Sequence, residues 1–204
     1  AKRCRTTNPK PKPSHEKRMV IDRCTRNTVT RTPSFLIRRA EDSPDLIEGL
    51  AEVTIDCVDA GASIGFMHPL SRDRARSFWQ GVFAAQSRGE RLVLIAEDQN
   101  TQRVIGTVQL VLQMPDNQPH RADVAKMQVH RSARRQGVGQ ALVTAIEDEA
   151  RKLGKTLLVL DTVTDSDAAR LYSRLGWIRS GDIPGYALFP RGGLCSTTVY
   201  YREL

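Results

Sequence analysis

No run of this 204-residue chain approaches the ~18 consecutive apolar residues of a membrane-spanning helix, so no membrane role is expected. Cysteine is sparse: Cys4, Cys24, Cys57 and Cys195 form no Cys-x-x-Cys pair. That argues against a metal knuckle or a disulfide framework and makes a reducing cytoplasm the expected setting. The first residues are basic and proline-bearing, with no apolar centre, and do not read as a secretory signal. No internal repeat is found. What remains is one ordinary domain's length of chain, with 40% hydrophobic residues, enough to bury a core.

The net charge of +8 is unevenly placed. Residues 1–31 hold ten Lys or Arg against Glu16 and Asp22, which accounts for all of it. The rest of the chain is balanced, so charge gives little support to a nucleic-acid-binding protein. Residues 1–33 carry few apolar side chains, with Pro9, Pro11 and Pro13 among lysines. Such a segment cannot bury enough surface to offset its ordering entropy, and a disordered basic extension is expected, with Met19 a candidate natural start. No aromatic is interleaved there for base stacking, so a nucleic-acid arm is the weaker reading. The folded domain is expected over residues 34–204.

Within it, residues 35–38 read as a strand, and Ser43-Pro44 opens a helix with Leu46, Leu50, Val53 and Ile55 on its apolar side. A loop from Gly61 to Leu70 leads to a second helix, capped by Ser71 and carrying Ala75, Phe78, Trp79, Val82 and Phe83. Residues 92–96 and 104–112 form an antiparallel pair around a turn at 98–100. A strand over 123–129 precedes a helix over 137–153, with Leu142, Ile146, Ala150 and Leu153 on one face and Gly154 beyond its end. A strand over 156–160 follows. Asp165 or Ser166 then caps a short helix to Leu175, residues 177–180 begin a strand, and residues 195–201 form the last strand.

Between the strand over 123–129 and its helix stands Arg134-Arg135-Gln136-Gly137-Val138-Gly139. Glycines let a backbone approach a ligand closely. The free N–H groups and dipole of the helix start favour an anion, and two arginines add to the charge. A tight strand-to-helix turn with no ligand would use the same residues.

Arg-x-x-Gly-x-Gly after a strand resembles the pyrophosphate loop of the GNAT family of acyl-CoA N-acetyltransferases. A second signature of that family, Asn-x-x-Ala-x-x-Leu-Tyr-x-x-x-Gly-Phe, is matched at the right distance by the stretch from Asp165 to Trp177. The resemblance implies an α/β (α+β) fold. Its centre would be a mostly antiparallel, mixed sheet of six to seven strands, splayed at the cofactor site, with about four helices. It implies acetyl-CoA as co-substrate, no metal, and an amine as partner. Cofactor contacts would come from Arg134, Arg135, Gln136, Gly137, Val138, Gly139 and Gln140, from the main chain of Met127, Gln128 and Val129, and from Asp165 and Ala168. Asp165 stands where the family often has Asn; an ionised Asp cannot donate a hydrogen bond as Asn does, and a helix cap is its other reading. The run Ile183-Pro184-Gly185-Tyr186 with Gly193-Leu194-Cys195 is similar to the tabtoxin-resistance branch, which implies a small-molecule acceptor. The first two helices and their loop would wall the acceptor pocket, with Phe66, His68 and Trp79 either lining it or packing as core.

Acetyl transfer needs an amine relieved of a proton, a polarised thioester and a protonated leaving thiolate. By resemblance Tyr172 is the acid; by residue type alone it could be a core tyrosine. Asp123 and Asp161 are the candidate bases, each with an ordinary strand-end alternative. His120 and His130 flank the strand over 123–129, with no chemistry assigned. No Ser-His-Asp or Cys-His arrangement is legible, so direct attack in a ternary complex is expected. Acetylation of a protein N-terminus or lysine, and a catalytically idle CoA-binding module, are the alternatives. A homodimer stays open.

Overall fold

The computed structural model describes residues 34–204; the basic extension of residues 1–33 lies outside them. The elements run β1 (Phe35–Arg39), α1 (Pro44–Asp59), α2 (Arg72–Ser87), β2 (Arg91–Asp98), β3 (Val104–Val111), β4 (Arg121–Val129), a 3-10 turn (Arg131–Ala133), α3 (Val138–Lys152), β5 (Leu157–Val163), α4 (Asp167–Arg174), β6 (Ile178–Leu188) and β7 (Leu194–Glu203). The seven strands form one mixed sheet in the order β1-β2-β3-β4-β5-β7-β6. Among the described residues, only the central β4–β5 pair is parallel. Seven strands and four α-helices match the expected fold class.

Alternation along β2 divides the core. Val93 and Ile95 pack with α1 and α2 around Leu50, Trp79 and Phe83. Leu92, Leu94 and Ala96 face the other way, with Leu142, Ile146 and Tyr172 of α3 and α4. The helix starts follow local chemistry: Ser43 Oγ accepts from Leu46 N at 3.2 Å, and Ser71 Oγ accepts from Arg74 N at 3.3 Å. Gly106 lets α3 lie down on the sheet. A Cβ there would come within 3.0 Å of the Gln128 carbonyl oxygen and 3.1 Å of both Leu142 and Val138.

Three expectations need correction. β5 continues through Val163, because its ladder to β7 holds as far as Val163 opposite Thr197; Asp161 therefore lies inside the strand and does not end it. The Ile183-Pro184-Gly185-Tyr186 stretch belongs to a long β6, where a register irregularity between Ile183 and Ala187 absorbs it. β6 is an edge strand, where proline costs no ladder bond. Leu153 is not on the buried face of α3: it is the C-cap and 42% exposed, because Gly154 at φ +69° turns the chain away. No helix among the described residues is long and apolar enough to cross a membrane.

Candidate active site

The parallel β4–β5 ladder is three residues long: Arg121, Ala122 and Asp123 opposite Leu157, Leu158 and Val159. Beyond it β4 runs on to Val129 and β5 to Val163 without pairing to each other. The strands diverge, and the edge of β4 that carries Met127, Gln128 and Val129 has no ladder partner. A bulge reinforces the divergence. Thr107 opposes Gln128 and Gln109 opposes Ala125, so Val108 alone faces two residues, Lys126 and Met127. Lys126 takes the left-handed φ of +51° that this demands. Such a gap admits a narrow extended ligand along β4. The side chain of Gln128 is not part of it: buried, it accepts from Thr54 Oγ1 at 2.9 Å, and Trp79 Nε1 donates to the same hydroxyl.

At the wide end of the gap is the glycine loop. Gly137 is the N-cap of α3 at φ +85°, with no side-chain cap bond, so the first N–H groups of α3 are left to outside partners. A Cβ on Gly137 would stand in open space. Arg135 also adopts a left-handed φ, of +61°. Arg134, Arg135, Gln136 and Gln140 are exposed, while Val138 is buried against the core. Gln136 Nε2 braces the loop by donating to the Ser132 carbonyl at 2.8 Å, and Arg134 Nε donates to the Val129 carbonyl at 3.1 Å. Gly139 has a packing role: a Cβ there would meet Leu171 of α4 at 3.2 Å. An uncapped helix start with arginines beside it suits a pyrophosphate, and the unpaired edge of β4 suits an amide-bearing arm, so these residues fit an acyl-CoA.

α4 stands across the gap. Ser166, not Asp165, is its N-cap, accepting from Ala169 N at 3.1 Å. Asp165 precedes it at φ +58°, exposed, and its carbonyl accepts from Arg170. Ala168 packs on the α3 side of the core. Tyr172 is buried beside Trp177 and Tyr200, with ring centroids 5.5 and 6.1 Å away. Burial, with the charge of Asp161 adding to it, pushes its phenol above the ordinary tyrosine range, so it stays protonated.

The two acids differ. Asp123, at the last rung of the ladder, is held by the Arg121 guanidinium. Asp161, two residues beyond the last rung on β5, is exposed and accepts from Thr197 Oγ1 at 2.9 Å. Its charge is felt by both Tyr172 and Lys126. The loop between α1 and α2 arches over this side and is tied to the β6–β7 turn. His68 N donates to the Pro190 carbonyl (2.8 Å), Ser63 Oγ to the Leu188 carbonyl (2.9 Å), and Arg191 Nη1 to the Asp59 carbonyl (3.0 Å). Of the three aromatic candidates, Trp79 is core. Phe66 packs edge-on to Phe78 at 5.1 Å, and His68 is exposed near Asp59. His130 caps the 3-10 turn by bonding Ser132, and the His120 carbonyl accepts from Thr156 N. Burial pushes the Cys57 thiol up, which keeps it from being a nucleophile. Sequence reasoning passed over Lys126, although a lysine inside the apolar run from Val124 to Val129 was visible.

Comparison with known proteins agrees with this fold. A model of the Acetyltransferase (GNAT) family matches residues 62–177, more than half of the chain. An uncharacterized N-acetyltransferase encoded in the hisH–hisA intergenic region of Azospirillum brasilense is 30% identical over 117 residues, covering 56% of this chain and 67% of that protein. Among solved structures, a GCN5-related N-acetyltransferase from Kribbella flavida superposes with a TM-score of 0.70 at 25% identity, over 84% of this chain and 98% of its own. A Salmonella typhimurium protein solved with its cofactor acetyl-CoA has a TM-score of 0.68 at 22% identity, over 84% and 94%.

Proposed function

This chain belongs to the GNAT acetyltransferase family and is an acetyl-CoA-dependent N-acetyltransferase; from that premise we propose that its acceptor is the amine of a small molecule, attacked directly in a ternary complex. The observation that carries this is the arch over the acceptor face. Three hydrogen bonds tie the end of α1 and the α1–α2 loop to the end of β6 and the β6–β7 turn, which supports an acceptor side closed on that edge. A compact amine suits a side closed in this way; a folded protein's N-terminus or a lysine on its surface would need the tie opened. The tabtoxin-resistance branch of small-molecule acetyltransferases remains our reading of the closing residues. The apolar side chains exposed along edge strand β6, Ile178, Ile183 and Leu188, support a homodimer through that edge. The folded part, residues 34–204, is proposed as the catalytic domain, with residues 1–33 dispensable to it.

Acetyl-CoA supplies an acetyl group already activated as a thioester. The N–H groups opening α3 and Arg134, Arg135, Gln136 and Gln140 hold its phosphates, and the unpaired edge of β4 at Met127, Gln128 and Val129 orients its arm. Asp165 and Ala168 border the arm at the start of α4. Tyr172 arrives protonated and gives its proton to the departing sulfur. A phenolate left beside Asp161 is costly, so it recovers the proton promptly. Asp161 draws in the acceptor ammonium and takes its proton. Asp123, committed to Arg121, is the second candidate for that step.

Two substitutions test these roles. Tyr172→Phe keeps the ring packing, and turnover should fall by about 10²–10⁴-fold with acetyl-CoA binding nearly unchanged. Full turnover in a folded Tyr172→Phe protein would make the tyrosine a core residue only. Asp161→Asn should displace the acidic limb of the pH–rate profile; a shift seen instead in Asp123→Asn would move the base to β4.

A further inference from the structure

Lys126 is unused by the mechanism above. It sits at the β4 bulge, and its left-handed φ sends the side chain toward the α1–α2 loop, where a Cβ on Gly65 would come within 3.3 Å of the ammonium. Among the described residues no carboxylate lies within 4.0 Å of it. The charges it feels are Arg91 of β2, which repels it, and Asp161 across the gap, which attracts it without pairing. Burial, then Arg91, hold its ammonium below the ordinary lysine range, with Asp161 opposing. A second group nearby is also unspent. Gln109 of β3 opposes Ala125, next to Lys126, and is fully buried. Its Oε1 accepts from Arg91 Nη1 at 2.8 Å, while its Nε2 has no partner.

Arg91 and Gln109 lie on the sheet face that packs on α1 and α2, since Gln109 pairs with Val93 of that core, and Lys126 adds a third donor at the neighbouring bulge. A partly buried ammonium without a counter-ion and a buried amide without a partner both cost stability. An anion arriving between them would relieve both costs at once. It would stand beside Asp161, which draws the amine. Resting on the small-molecule reading, we infer that the acceptor is an amine that also carries a carboxylate close by, an amino-acid-type zwitterion, and that Lys126 anchors its carboxylate. Lys126 is then the residue that sets specificity, with Arg91 and Gln109 behind it.

The test uses the twenty common amino acids, each paired with its carboxamide, in which the amine stays and the charge is removed. Thiol release from acetyl-CoA is followed for wild type, Lys126→Met and Lys126→Arg. The wild type should favour the acid of its best pair. Lys126→Met should lower kcat/KM for that acid by about 10–100-fold, the usual worth of a hydrogen bond to a charged group, and leave the carboxamide unchanged. Lys126→Arg should restore part of the preference. Acetyl-CoA affinity by calorimetry should be the same in all three, and the thermal midpoint of Lys126→Met should be equal or higher, since an unpaired ammonium is replaced by an apolar chain. Equal use of acids and carboxamides by the wild type overturns this inference alone. A Lys126→Met protein that melts lower and loses both substrates alike makes the lysine structural. Weakened acetyl-CoA binding assigns it to the cofactor. If no amine in the set is acetylated although acetyl-CoA binds, the small-molecule reading fails and the zwitterion with it.

Discussion

The two ends of the β4–β5 gap are built from different materials. The proposed phosphate end is main chain: a left-handed Gly137, an uncapped start to α3 and a loop braced by Gln136, all within ten residues of sequence. The proposed acceptor end is side chain. Arg91, Gln109, Lys126 and Asp161 come from four strands, and Gly65 comes from a loop. A contiguous stretch of backbone can hold any CoA-like ligand, because every residue supplies an N–H. An acceptor is chosen by side chains at a distance, and these can change without disturbing the cradle. The two ends are fastened differently as well. Helix α1 is tied to the acceptor side of β4 through Trp79, Thr54 and Gln128, a buried hydrogen-bonded chain.

The comparison can be broken hardest at that chain. Trp79→Ala removes a fully buried side chain and leaves Thr54 without its donor. It should cost about 3–5 kcal/mol in denaturant unfolding. A loss under ~1 kcal/mol would mean that Trp79 lines open space after all. Gly137→Ala is next. Its φ of +85° should cost about 1–2 kcal/mol, and the new methyl, facing open space where a phosphate would come, should weaken acetyl-CoA in calorimetry. An unchanged affinity would show that the cradle tolerates a side chain and is not main chain in character. Ser166→Ala should cost ~1 kcal/mol as the lost cap of α4. Asp165→Asn should stay within ~0.5 kcal/mol, because its side chain caps nothing. The reverse order would return the cap to Asp165.

Legibility followed the same division. The loop and helix start could be read because turn chemistry and a 3.6-residue period are local. Ser43, Ser71 and Gly154 were found for the same reason. The splay could not be derived from β4 or β5 alone; it depends on where their ladder stops, at Asp123 and Val159. The length of β5 was missed because Asp161 and Thr162 break an apolar run, yet pairing to β7 carries the strand past them. Only the beginning of β6, over residues 177–180, was read; its continuation through Pro184 and Gly185 is one that an edge strand with a register irregularity accommodates. Lys126 is the sharpest case. Its neighbours in sequence read as strand, and only a bulge, which is a property of two strands together, gives it a place in the site.

Hydrogen exchange of the backbone amides, with and without CoA, tests the central claim most directly: that the gap past Asp123 and the start of α3 form one ligand site. The first amides of α3 have no partner within the helix and should exchange fast in the free protein. On adding CoA, exchange should slow at residues 127–129 and 136–141 and stay unchanged in β1 and β2. Protection confined to other segments, or no slowing at residues 127–129 while CoA is bound, would contradict it.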